Sequence, residues 1–220
     1  MRVVFHLNVS SMTTHVVFWA HTLGGSATGG DAVALKTADV RLAAREPTGG
    51  TKGTAVNHIA FAVPSVRRAV DNAQAAGYPI ITRAELPERF EVRDDLAFIP
   101  LLDTSVAFTM GPDETKVEFI EVPGTRTIDL HHIHFFSPEP ENLKMWYANL
   151  FHVQPADRGP FHAIDLPDGF NLTFSPSEPV QPTKGRAIDR IGFEVENAAR
   201  FQTRELIDPW GTSIEITETK

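Results

Sequence analysis

Thr51-Lys52-Gly53-Thr54-Ala55-Val56-Asn57-His58-Ile59-Ala60-Phe61-Ala62-Val63 has a second copy in the same chain, Thr183-Lys184-Gly185-Arg186-Ala187-Ile188-Asp189-Arg190-Ile191-Gly192-Phe193-Glu194-Val195. Thr51, Lys52, Gly53, Ala55, Ile59, Phe61 and Val63 each meet an identical residue 132 positions later. Chance hardly places seven such matches in thirteen positions, so the chain reads as a duplication. Both copies have one grammar: a polar loop with Gly, then an alternation of apolar and polar residues that reads as a half-buried strand. Their sharpest difference is His58 against Arg190.

Working outward, the first copy's strand, Val56 to Val63, is followed by a helix from Val66 to Ala76, with Val66, Ala69, Val70 and Ala73 at helical spacing and Gly77 as its stop. Strands are expected at Tyr78–Thr82, at Asp95–Leu101 with Ser105–Met110, and at Lys116–Val122. The unit is therefore strand, helix, three strands. Upstream, Val3–Val9 reads as a strand, Ser10-Ser11 as the cap of a helix ended by Gly24-Gly25, and Asp31–Arg45 as short strands. Gly24 to Thr28 lacks the final glycine of a nucleophile elbow and follows a helix, so it reads as a loop. Downstream, Leu130–Phe136 is a strand, Pro140–Phe151 a helix, and Phe161–Leu166 and Phe170–Phe174 further strands. The last unit is short: Arg190 to Glu215 covers 25 positions where His58 to Glu118 covers 60. Either a second copy of the chain covers the exposed sheet edge, as in a homodimer, or this half is less stable than its twin.

The bulk properties narrow the function. With 42% hydrophobic and 22% charged residues, this is an ordinary globular composition. A net charge of −8 argues against nucleic acid or anionic membranes and leaves a small molecule as the expected partner. Cysteine is absent, which excludes disulfides, zinc thiolates and a catalytic thiol, so any metal must be held by His, Asp or Glu. No signal-peptide core or membrane-span-length apolar run occurs, so a cytoplasmic location is the default expectation.

Asn57-His58-Ile59-Ala60-Phe61-Ala62-Val63, with its helix ending Ala75-Ala76-Gly77-Tyr78, and the closing stretch Ile207-Asp208-Pro209-Trp210-Gly211-Thr212-Ser213-Ile214-Glu215-Ile216 resemble the vicinal oxygen chelate superfamily. That superfamily includes glyoxalase I, extradiol ring-cleaving dioxygenases and fosfomycin and bleomycin resistance proteins. Gly111 to Phe119 is a looser version of the closing stretch. The resemblance covers essentially the whole chain. It implies an α+β fold of tandem βαβββ units paired into two domains, 1–125 and 126–220, with the last unit truncated. It also implies a divalent metal in a cleft between paired units, held by residues of the first and last strands.

Carried over by position, the resemblance puts His58 and Glu118 at ligand positions in the first half. The count for the third ligand lands on Val4, and His6 lies two residues on, on the same strand face. In the second half it lands on His132, with His134 on the same face and Glu215 at the carboxylate position, while His131 points the other way. Arg190 stands where the second His belongs and cannot ligate, because guanidinium keeps its proton. It is expected to pair with Glu215 beside His132 or to bind an anionic group of a substrate. The expected site is thus His6, His58 and Glu118, with His132, His134 and Glu215 as second-half candidates. Arg41 and Asn171 stand where glyoxalases carry a second carboxylate.

Two His and one Glu favour a dioxygenase-like pattern with Fe(II) or Mn(II), Zn(II) or Ni(II) being alternatives, acting on a small oxygen-chelating, aromatic type of substrate. A glyoxalase-like lyase or isomerase, or a binding protein without chemistry, are the competing readings, and no catalytic acid or base is assigned. His15, His21, His152 and His162 read as solvated, Trp19, Trp146 and Tyr147 as helix-to-sheet packing, and Glu121 as a solvent-facing residue.

Overall fold

The computed structural model describes residues 1–159 and 161–219. The first unit comprises β1 (Arg2–Val9), α1 (Met12–Leu23), β2 (Ser26–Ala27), β3 (Ala32–Ala34) and β4 (Ala38–Ala44). The second comprises β5 (Val56–Ala62), α2 (Val66–Ala75), the short α3 (Thr82–Glu85), β6 (Val92–Arg93), β7 (Leu96–Ile99), β8 (Thr104–Met110) and β9 (Lys116–Glu121). The third is β10 (Asp129–Ser137), α4 (Pro140–Phe151), β11 (Pro155–Arg158), β12 (Phe161–Asp165) and β13 (Asn171–Pro176). The fourth has β14 (Ile188–Val195), β15 (Glu205–Ile207) and β16 (Ser213–Glu218), with a 3-10 turn, Ala198–Arg200, in place of a helix.

Local signals explain the helices. Ser11 caps α1 by accepting from the Thr14 N–H, and Gly24 ends it in the left-handed region at φ 67°. Ser65 caps α2 in the same way, accepting from Arg68 N–H, while the Glu121 carboxylate, expected to face solvent, accepts from Val66 N–H at 2.8 Å. Tyr78–Thr82, expected to be a strand, contributes only an isolated bridge, Ile80 to Thr109. Its Thr82 starts α3 and hydroxyl-bonds the Phe108 N–H instead. Ser26–Ala27, read as loop, pairs briefly with β3.

Two sheets result, ordered β15-β16-β14-β1-β4-β3-β2 and β11-β12-β13-β10-β5-β9-β8-β7-β6. On both, the alternate residues Phe5, Ile191 and Ile214, and Ile59, Phe119 and Ile133, face the helices and join one apolar core. Helices α1 and α2 touch each other within that core. Trp19 meets Phe61 there, and Phe151 meets Phe193, so residues of both sheets share it. On its other face the nine-stranded sheet carries a smaller apolar cluster of Ala60, Ala97, Val106, Phe108 and Ile120, against which Ile81 and Leu86 at the two ends of α3 pack.

The units do not pair in chain order. β1 pairs antiparallel with β14, and β5 with β10. The first unit therefore shares a sheet with the fourth and the second with the third, and the expected division at 125/126 falls inside the nine-stranded sheet. The reason lies in the duplicated stretch itself. Segment 47–55 crosses from one sheet to the other, segment 177–187 crosses back, and the two bond to each other where they pass: Ala55 N–H to Gln181 O, Gln181 N–H to Gly53 O, Thr48 N–H to Gly185 O and Ala187 N–H to Gly49 O. The repeated Gly53 and Gly185 turn there at φ 74° and 84°, where a side chain would be strained. The repeated Thr51 and Thr183 are buried, and their hydroxyls accept the N–H of Lys116 at 3.1 Å and of Ser213 at 3.0 Å. Each threonine thus fixes the start of the closing strand that carries Glu118 or Glu215.

Candidate metal centre

On the face of the nine-stranded sheet that carries Ala60 and Phe108, β5 and β10 bring His134 opposite His58 and His132 opposite Ala60. Parallel pairing of β5 with β9 sets Glu118 beside Ala60. Period-two alternation then points His58, Glu118, His132 and His134 into one cluster. Ligand atoms of the three histidines lie within 4.8 Å of one another. Glu118 Oε2 is 3.0 Å from His58 Nε2 and 3.4 Å from His132 Nε2. All four side chains are buried.

Neighbours set the imidazole tautomers. Asn57 Oδ1 lies 2.8 Å from His58 Nδ1, so that nitrogen donates and Nε2 turns a lone pair to the cluster. His134 Nε2 meets Ser175 Oγ at 2.8 Å, and the Nδ1 atoms of His131 and His132 are 2.9 Å apart. His132 Nε2 is buried without a hydrogen-bond partner among the described residues, its 3.4 Å approach to Glu118 lacking hydrogen-bonding geometry.

Burial controls the charges. It drives the proton affinity of His58 down to about 3, with Lys116 adding repulsion, and that of His132 and His134 well below the usual imidazole range. It raises Glu118 to about 8, against the opposing pull of His131 and Lys116. At neutral pH the cluster therefore holds three neutral imidazoles and a protonated carboxyl that donates to His58 Nε2. Buried Lys116 is itself paired with Glu85 at 2.5 Å. A divalent cation fits this donor set: it would take the orphaned His132 Nε2 and displace the Glu118 proton. Apolar rings close the surroundings, Phe108 edge-on to His58 at 5.3 Å and Phe136 and Phe161 edge-on to His134 at 5.0 and 5.8 Å.

The expected ligand set is thus regrouped. His58 and Glu118 stand together, but His6 lies in the other sheet, and His132 and His134, assigned to a second site, join them. Arg190 lies beside His6 rather than His132, because β14 pairs with β1. His6 Nε2 is 3.1 Å from Glu215 Oε2, and Arg190 NH1 is 3.7 Å from Glu215 Oε1. Burial, with Arg190 next, lowers the proton affinity of His6. Asn171 accepts from the Thr173 hydroxyl at 2.7 Å beside His132, so no second carboxylate joins the cluster among the described residues. His15, expected to be solvated, is fully buried and bonds Asp113 at 2.9 Å, tying α1 to the loop before β9. Tyr147 packs as expected and also donates to buried Asp208 at 3.0 Å.

No protein-family model and no curated protein matches the sequence. Solved structures do match its shape. Glyoxalase I from Zea mays superposes with a TM-score of 0.71 at 13% identity, over 99% of this chain and 92% of that one. A candidate dioxygenase from Bacillus subtilis gives 0.64 at 11% identity, over 98% and 84%. The cppA protein from Streptococcus pneumoniae gives 0.54 at 10% identity, over 100% and 98%. At these identities the likeness concerns the fold, which is the vicinal oxygen chelate fold, an α+β arrangement carried by the whole chain. No helix among the described residues is long and apolar enough to cross a membrane.

Proposed function

We propose that this chain is a metal-dependent enzyme whose divalent cation is held by His58, His132, His134 and Glu118, and that it acts in dioxygenase-like fashion on a small substrate chelating through adjacent oxygens. The observation that carries this reading is the buried cluster itself. Three desolvated neutral imidazoles around one carboxyl have no evident structural use, since apolar residues would fill the same space at less cost. Iron(II) or manganese(II) suits imidazole and carboxylate donors with positions left for other oxygens. When bound, such a cation neutralises a substrate oxyanion and gathers a second reactant beside it.

The chain's own residues supply the rest. Asn57 holds the His58 tautomer, Glu118 gives up its proton on loading, and Thr51 fixes the register of the strand that presents Glu118. Phe108, Phe136 and Phe161 offer ring faces and edges suited to an aromatic substrate and keep bulk water from the imidazoles. The absence, among the described residues, of a second carboxylate beside His132 favours this reading over a glyoxalase-like isomerase, whose proton transfer needs such a base. Oxygen uptake with a panel of catechols, on iron- or manganese-loaded protein, tests it. Uptake lost in Glu118→Gln supports the reading. Turnover of a hemithioacetal without oxygen would replace it with the lyase.

A further inference from the structure

The seven-stranded sheet repeats the framework of the metal centre with different chemistry. In the nine-stranded sheet the row Thr173–His134–His58 crosses β13, β10 and β5. In the seven-stranded sheet the row Arg41–His6–Arg190 crosses β4, β1 and β14 in the same register. Glu215 sits beside Gly192 as Glu118 sits beside Ala60. His58 is thus replaced by Arg190, Thr173 by Arg41 and His132 by Val4. One His and one Glu remain, flanked by two permanent cations, and such a set cannot hold a metal.

Charge is left over. Among the described residues Glu215 is the only carboxylate in ion contact with this row, and it is shared between His6 and Arg190. Asp39, the neighbour of Arg41, is taken by Arg2 at 2.7 and 2.8 Å, and Asp189, the neighbour of Arg190, by Asn8 and the Gly185 N–H. Among the described residues Arg41 has no ion-pair partner, and Arg190 Nε is buried with no hydrogen-bond partner. The guanidinium of Arg190 therefore makes one long ion contact and keeps one donor unanswered, while the side chains of Arg190 and His6 remain 33% and 18% exposed. Gly192 adds no side chain where His6 Nε2 comes within 3.2 Å of a Cβ position.

The geometry points to a second ligand site on this face, in which Arg190, Arg41 and His6 bind a small molecule through a carboxylate or phosphate group. Two guanidinium forks supply the charge-assisted donors that such an oxyanion takes, and the His6 ring adds a third polar contact. The apolar core lies between this face and the metal cluster, so the two sites are distinct and this inference does not depend on the metal reading.

The test is calorimetric titration of the full chain with inorganic phosphate and, separately, with succinate, at fixed ionic strength. Saturable binding of one ligand per chain is expected for at least one probe, and which probe binds distinguishes phosphate from carboxylate. Arg190→Met and Arg41→Met should each weaken it about tenfold or more, the worth of a charge-assisted bond, while His58→Ala leaves it unchanged. Glu215→Gln, which removes the competing carboxylate, should tighten it, a gain that misfolding cannot imitate. Absence of saturable binding of both probes, binding kept in both arginine variants, loss in His58→Ala, or weakening in Glu215→Gln would each overturn the inference.

Discussion

Metal affinity should depend on pH through one proton, and Glu118 is the group that carries it. Burial holds its carboxyl at about 8, so below that pH a cation must displace a proton to reach the oxygen. The imidazoles add nothing in this range, because His58 is held at about 3 and His132 and His134 well below the ordinary value. Apparent affinity should then approach a fall of about tenfold for each pH unit well below 8, reach about thirtyfold below its high-pH plateau at pH 6.5, and level off above 8. Ordinary exposed histidines would behave differently: their carboxylate partner would already be ionised, and three protons would compete only below about pH 6.5. Chelator-competition titrations from pH 6 to 9 give the slope. Calorimetry in buffers of different ionisation enthalpy counts the proton released. In Glu118→Gln the slope should vanish over the same range. A slope near three, or none in the wild type, would refute the reasoning.

Other outcomes follow from the same contacts. In metal-free protein Glu118 binds its proton more tightly folded than unfolded, so its share of stability is complete below about pH 4.5 and lost as pH rises toward 8; thermal unfolding of wild type against Glu118→Gln should show that decline in the wild type alone. His58 acts in the opposite sense, its share being present above about pH 6.5 and lost as pH falls toward 3, so metal-free His58→Ala should be less acid-sensitive in the same melts. Thr51→Val and Thr183→Val each orphan a strand N–H, buried at Lys116 and half-buried at Ser213, and should cost about 1–3 kcal/mol in urea unfolding, but only Thr51→Val should weaken metal binding, because only it releases the strand of Glu118. The truncated fourth unit leaves β15 at a sheet edge with Ile207 68% exposed, and sedimentation equilibrium is expected to give twice the 24.3 kDa chain mass; a value of 24.3 kDa at all concentrations would rule out a second copy covering that edge.

The strand-helix-strand grammar and the bounds of α4 were legible in the sequence because they rest on local periodicity, helped at α1 by the caps Ser11 and Gly24. The pairing of units was not, since it is decided by two segments far apart in the chain. A signal was nonetheless present: both copies of Thr-Lys-Gly lie in the long connectors 45–55 and 177–187, while the second and third units are joined by the shorter 122–128. Long connectors cross between sheets and the short one does not. Reading that difference would have placed His132 and His134 with His58 and left His6 with Arg190. The histidines' face was readable from period two, but their company was not. Tyr78–Thr82 has the apolar pattern of a strand, and the bond that Phe108 N–H donates to Thr82 Oγ1 diverted it.

The central claim is tested most directly by the metal content of protein purified anaerobically, for wild type, His58→Ala and Arg190→Ala. About one divalent cation per chain is expected, lost in His58→Ala and kept in Arg190→Ala, with the same pattern after reloading with Fe(II), Mn(II), Ni(II) or Zn(II). Failure of the wild type to take up any of the four, or metal kept in His58→Ala and lost in Arg190→Ala, would contradict it.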